Sequence, residues 1–358
     1  MAGKRGGSSK KLLHALDLDG IASTLRNVSL PGKALTWSRF CGALSLVLTV
    51  QLFISGAAMC LYYSPAPGTA YDSVDFAMFS LPFGSIVRGI HYYSWNLLLA
   101  VLGLHLARAF IIGAYKRPRE PVWISGIIIL LVIPLFIITG DLLPWDQKGY
   151  WSTQVRLSII SSVPVAGDFI TRALRGSSMT GIVALTRFYV LHILFLPLLL
   201  SCLIAVHFHF LARRGIAPSL KNSNSEVSRV PFLPDMVNRW LFLFLITTVI
   251  LAAISWYWPA PLGDPADPTD SSYVPKPEWW VLFLNQLVTI FKGPLMIVGS
   301  MIIPGGVIIA IIALPWIDRT PDRHPMRRKG VMIVGAIFIM LFFLLSIVGY
   351  MEHHGPLH

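Results

Sequence analysis

The chain has 358 residues, 55% hydrophobic and only 13% charged, with a mean hydropathy of +0.67. Soluble domains carry about 25% charged residues, so this composition excludes an ordinary soluble protein and points to one embedded in a membrane. The formal net charge of +12 does not mark a nucleic-acid partner, because the basic residues gather at alternate connections between apolar runs.

Met1–Lys11 (MAGKRGGSSKK) is polar and basic, with no apolar stretch directly behind it, so no cleavable leader is expected. Seven apolar runs follow, each near the roughly 20 residues that cross a bilayer. They cover Leu35–Tyr62, Gly89–Tyr115, Val122–Thr139, Gly181–Ala212, Trp240–Trp258, Leu295–Trp316 and Val331–Tyr350. The fold class expected is an all-α integral membrane protein with seven transmembrane helices. Lys116, Arg117 and Arg119 follow the second run, Arg213, Arg214, Lys221 and Arg229 the fourth, and Arg319, Arg323, Arg327, Arg328 and Lys329 the sixth. The loop after the fifth run is acidic, with Asp264, Asp267, Asp270 and Glu278. By the positive-inside rule the N-terminus is cytoplasmic and the C-terminus lies on the outer side, which fits a multi-pass protein of a bacterial inner membrane surrounded by lipid.

Between the third and fourth runs, the segments near Leu157–Val163 and Val165–Leu174 are expected on the membrane surface. The polar stretch KNSNSEVSRVPFLPD divides the chain. Residues 1–34 form a cytoplasmic tail and surface segment, 35–220 a four-helix part, 221–235 a linker, and 236–358 a three-helix part. Cys41, Cys60 and Cys202 are dispersed and form no CxxC, so neither a disulfide framework nor a zinc or iron–sulfur site is encoded.

The second run carries His91 and His105, fourteen residues apart, and the fourth carries His192 and His207, fifteen apart. Fourteen residues make nearly four helical turns and rise about 21 Å. The second and fourth runs point the same way, so His91 faces His192 near the outer surface and His105 faces His207 near the inner one. Pro197, between the second pair, is expected to kink its helix and adjust the spacing. Gly42 and Gly56 on the first run, and Gly126 and Gly140 on the third, repeat the same fourteen-residue step. Paired imidazoles suit haem iron, and glycines let a flat macrocycle come close to a backbone. The plainer reading of each histidine alone is a helix contact, and of each glycine a packing residue; the joint pattern favours two haems b. His209 falls about 100° off the ligand face.

The motifs PWDQKGYW (Pro144–Trp151), LRGSS (Leu174–Ser178), LTRFYVLH (Leu185–His192), GDPADP (Gly263–Pro268) and PEWW (Pro277–Trp280) resemble those of cytochrome b from quinol-oxidising bc/bf complexes, in the family's order. The fifteen-residue step and seven spans resemble the plastid-type bf branch, with its cytochrome b and subunit IV parts fused. That resemblance implies a Q cycle. Quinol is oxidised at the outer side, one electron passing to a Rieske iron–sulfur protein and on to a c-type cytochrome or plastocyanin-like acceptor. The other electron crosses two b haems, and quinone is reduced on the cytoplasmic side. It also implies a homodimeric complex.

Within it, Glu278 is the expected general base at the quinol site, with Pro277, Trp279 and Trp280 around it; Trp280 replaces the family's tyrosine. Arg88 and Arg108 flank the second run's histidines as expected partners of haem propionates, and Tyr92 stands where the family commonly has arginine. The bf branch attaches a further haem through a cysteine two residues before the first glycine. Here Phe40 holds that register and Cys41 comes one later, so the resemblance leaves open whether Cys41 carries a haem c or simply packs. Two other classes compete: a di-haem membrane anchor of a dehydrogenase without quinol bifurcation, and a haem-free transporter using buried histidines as proton relays.

Overall fold

The structure is a computed structural model that describes residues 29–31, 40–215, 217, 229–231 and 235–354. Its helices are α1 (Phe40–Cys60), α2 (Ala70–Phe79), α3 (Gly84–Ile111), α4 (Glu120–Asp141), α5 (Gln147–Ser161), α6 (Gly167–Arg175), α7 (Ile182–Arg214), α8 (Val237–Tyr257), α9 (Leu282–Ile290), α10 (Val298–Ile317) and α11 (Lys329–His354). Seven of them, α1, α3, α4, α7, α8, α10 and α11, are long and apolar enough to span a bilayer. Their side chains face outward in large part, as expected where lipid replaces water as the surrounding solvent.

The helices pair as α1 with α3 and α4 with α7, whereas α3 and α4 touch only sparsely. The two pairs therefore face one another across an interior space. Helix α8 packs along α3 and α1, and the main apolar core, with Leu48, Leu98, Ile133, Leu200 and Leu251, runs across both parts of the sequence. A polar clamp reinforces this. Gln51 on α1 donates to the hydroxyls of Thr247 (2.9 Å) and Thr248 (2.7 Å) on α8. Gly89 lets α3 lie directly against Ser255 of α8, because a Cβ there would collide with the serine.

Several sequence expectations change. The second span begins at Gly84 and ends at Ile111, earlier at both ends than Gly89–Tyr115, and Tyr115 turns back into a buried cluster. The surface segment between α4 and α7 forms two helices that break at residues 162–166. Pro197 does not simply kink α7. Residues Leu191–Phe195 form a π turn, closed by the Leu196 N–H on the Leu191 carbonyl. The wide turn seats a proline ring that can neither bond nor clear a regular α turn. It also absorbs one extra residue, so His192 and His207 share a face although fifteen residues separate them. Of the tail and linker, Ser29–Pro31 and Arg229–Pro231 are described and pair antiparallel; the rest lies outside the described residues.

Candidate functional site

His91 and His192 line one cavity, and each of His91, His105, His192 and His207 stands against a glycine of the neighbouring helix. The rings of His91 and His192 face each other with centroids 6.3 Å apart and planes inclined by 59°. Metal–imidazole bonds of about 2.0–2.1 Å, with about 1.2 Å from nitrogen to ring centre, predict about 6.4–6.6 Å for one metal held between two rings. His105 and His207 lie within electrostatic reach of each other at the opposite end. Among the described residues, no three metal-binding side chains converge. Two facing imidazoles with no third protein ligand suit a metal whose other positions are filled by a macrocycle.

Each glycine stands against one imidazole. A Cβ at Gly56 would lie 3.3 Å from His91 Cε1, at Gly42 3.2 Å from His105, at Gly126 3.3 Å from His207, and at Gly140 2.6 Å from His192. The protein atoms nearest each missing Cβ belong to an imidazole. Glycine here admits the histidine ring edge-on to the neighbouring helix.

The residue before three of these glycines, unnoticed in the sequence, carries a hydroxyl. Ser55 Oγ lies 3.0 Å from His91 Nδ1, Thr139 Oγ1 3.1 Å from His192 Nδ1, and Ser125 Oγ 2.9 Å from His207 Nδ1. Cys41 occupies the fourth such position as a half-buried free thiol packed against the core.

The His91–His192 pair borders a cavity of about 640 Å³ that also reaches Arg88, Lys148, Tyr273 and Glu278, within the usual size of ligand pockets. Glu278 arrives there because two distant loops dock. The Gly263 N–H donates to Asp146 Oδ2 (3.1 Å), the Gln147 N–H to the Asp264 carbonyl (2.9 Å) and the Ala266 N–H to the Trp145 carbonyl (3.0 Å). The GDPADP and PWDQKGYW motifs are thus one interface. It sets Lys148, in the first turn of α5, in an ion pair with Glu278.

Burial pulls the Lys148 ammonium down, and the charge and hydrogen bond of Glu278 more than reverse this, holding it above the ordinary lysine value. Burial pushes the Asp146 carboxyl up, against the N–H groups of Gly149 and Gly263. Trp279 donates to Asn96 Oδ1 at 2.8 Å, whereas Trp280 packs against the main core; Pro277 is half-buried.

Arg88 donates to the carbonyls of Ala260 (2.9 Å) and Pro261 (2.7 Å) from the cavity wall. Arg108 sits one turn beyond His105. Arg187 donates to the carbonyls of Arg172 and Ala173.

At the other end, charges read from sequence as topology signals form a buried cluster. Arg328 is fully buried and pairs with Asp318 (3.4 Å), the Tyr115 hydroxyl (2.7 Å) and the Ile111 carbonyl (2.6 Å). Lys116 pairs with Asp318 at 2.9 Å. Burial works to raise the Asp318 carboxyl, but hydrogen bonds from Thr320, Tyr115 and Lys116 bring it down to about 2.

Two family models match the chain: cytochrome b (N-terminal)/b6/petB over residues 96–265 and cytochrome b (C-terminal)/b6/petD over residues 265–358. The chain is 38% identical over 179 residues to cytochrome b6 of Prochlorococcus marinus (strain MIT 9303), covering 50% of this chain and 82% of that protein. Cytochrome b6 of Synechococcus sp. (strain CC9605) is 37% identical over the same length and shares. A chain of a solved structure titled "Hyperthermophilic respiratory Complex III" superposes with a TM-score of 0.79 at 26% identity, covering 96% of this chain and 91% of that one.

Proposed function

The chain belongs to the cytochrome b/b6 family, the membrane subunit of bc/b6f-type complexes, and from that premise we propose that it oxidises quinol at the His91–His192 end and returns electrons to quinone at the His105–His207 end. The observation that carries this reading is the shared cavity: one space borders both the facing imidazoles and the Glu278–Lys148 pair. Haem bound between each pair supplies a one-electron carrier at each depth of the membrane. His91 and His192 hold the outer one, His105 and His207 the inner one, with Gly56, Gly140, Gly42 and Gly126 clearing space for the four imidazoles.

The remaining roles fall to side chains of this chain. Quinol oxidation releases protons, and Glu278 receives one at a carboxylate oxygen. Lys148 keeps that carboxylate turned into the cavity and holds its own charge beyond the ordinary lysine range. Pro277, Trp279, fixed by Asn96, and Trp280, fixed by the core, flank the glutamate in the chain and complete the quinol site. Arg88 and Arg108 supply cations near the outer and inner pairs for the propionates. The Rieske protein and a c-type or plastocyanin-like acceptor are the partners this chemistry requires on the outer side. Cofactors are two haems b and quinone.

The test is quinol oxidation by the purified membrane complex. Glu278→Gln is expected to slow turnover by about 10²–10⁴-fold, the usual share of a general base, while both b haems remain. Unchanged turnover across pH would mean that the proton leaves by another route.

A further inference from the structure

We infer that the hydroxyls of Ser55, Thr139 and Ser125 are positioning groups that accept from the Nδ1–H of His91, His192 and His207 and lower the reduction potential of the iron each of these imidazoles would hold. This rests on the bis-imidazole reading above.

The direction of each hydrogen bond can be deduced. A hydroxyl has one proton to give. Ser55 Oγ donates it to the Gln51 carbonyl (2.6 Å), Thr139 Oγ1 to the Leu135 carbonyl (2.7 Å) and Ser125 Oγ to the Val122 carbonyl (3.1 Å). Toward the imidazole each oxygen therefore accepts, and the ring carries its proton on Nδ1. The same imidazoles also meet the carbonyls of Leu52, Phe136 and Val122, which accept only. In all three the Nε2 lone pair is left free of these hydrogen bonds.

The fourth position differs. Cys41 stands fourteen residues before Ser55, and Gly42 meets His105 much as Gly56 meets His91. Yet His105 Nδ1 is buried without a hydrogen-bond partner among the described residues. A thiol is a weak acceptor and does not replace the hydroxyl. The outer pair thus has two accepting hydroxyls and the inner pair one.

An acceptor on Nδ1–H makes the imidazole a more basic ligand. A more basic ligand stabilises the more highly charged oxidised iron, so adding one electron is less favourable there. Each hydroxyl therefore lowers the potential at its own pair, twice at the His91–His192 end and once at the His105–His207 end. A structural role alone, hydroxyls bonded back to their own helix, predicts no such shift.

The experiment is a redox titration of both haems in the purified complex, resolved spectroscopically, for Ser55→Ala, Ser55→Thr, Thr139→Val, Thr139→Ser and Ser125→Ala. Ser55→Ala and Thr139→Val should each shift the outer equilibrium about tenfold toward the reduced form, a rise of about 59 mV for one electron, with the inner potential unchanged. Ser55→Thr and Thr139→Ser should stay near the parent, and Ser125→Ala should raise the inner potential instead. The inference is overturned if the outer potential stays put with haem retained. It is overturned equally if Ser55→Thr and Ser55→Ala behave alike, including by losing the outer haem together, which would assign volume rather than hydroxyl. A parent complex without bis-histidine haem overturns both this inference and the function; haem present with silent variants overturns this inference alone.

Discussion

Gly140→Ala tests the site geometry most severely, because the four glycines are not equally tight. Its added Cβ would sit 2.6 Å from His192 Cε1 and 3.1 Å from Nδ1. Carbon pairs rest at about 3.5–4.0 Å, so the imidazole would retreat by roughly 0.9–1.4 Å. Thr139 Oγ1 already holds that ring at 3.1 Å, and Phe136 packs edge-on with centroids 5.6 Å away. A ligand must stay within about 0.5 Å of its working position, so the move exceeds what the outer site tolerates. At Gly126 the Cβ would lie 3.3 Å from His207, and a retreat of roughly 0.2–0.7 Å suffices. Pyridine-haemochrome analysis with reduced-minus-oxidised spectra should show Gly140→Ala losing the outer haem and keeping the inner. Gly126→Ala should keep both. Retention of both haems with unaltered spectra in Gly140→Ala, or equal damage in Gly126→Ala, would refute the reasoning.

Two further expectations concern the inner end. If Cys41 carries a covalent haem, haem-stained denaturing electrophoresis shows a band on this polypeptide that Cys41→Ser removes; a polypeptide cleared of haem by acid acetone leaves Cys41 as packing. Asp318→Asn strands fully buried Arg328 and nearly buried Lys116, and breaking a buried pair in this way costs about 3–5 kcal/mol, read as early thermal loss of α10 and α11 from the bundle. The depressed Asp318 carboxyl contributes stability that is fully present above its ordinary value of 3.8 and is lost as pH falls toward about 2. An acid melting series should show the parent losing its advantage over Asp318→Asn in that window, and identical melting of the two at neutral pH would discount the cluster.

The sequence revealed what repeats and what is long. Seven spans were legible because a bilayer demands about 20 apolar residues, and the histidines and glycines because both keep a fourteen-residue step. Helices α2 and α9 were not, since ten and nine residues are too short for a hydropathy signal, and α2 carries Asp72 and Asp75. The fifteen-residue step that contains Pro197 carries the trace of the π turn, although a proline alone points only to a kink. Ser125 and Thr139 repeat at the same step as their glycines, a signal that could have found them. Lys148 and Glu278 lie 130 residues apart, and no local pattern links them before the loops dock. Lys116 and Arg328 read as topology charges, because sequence shows charge without showing burial.

The most direct measurement is the haem content of the purified chain with and without one ligand. Quantitative haem analysis should find two b haems per polypeptide in the parent, and His105→Leu should remove the inner one while leaving the signal of the outer. Two haems with unaltered potentials in His105→Leu would contradict the assignment of the four histidines as ligands.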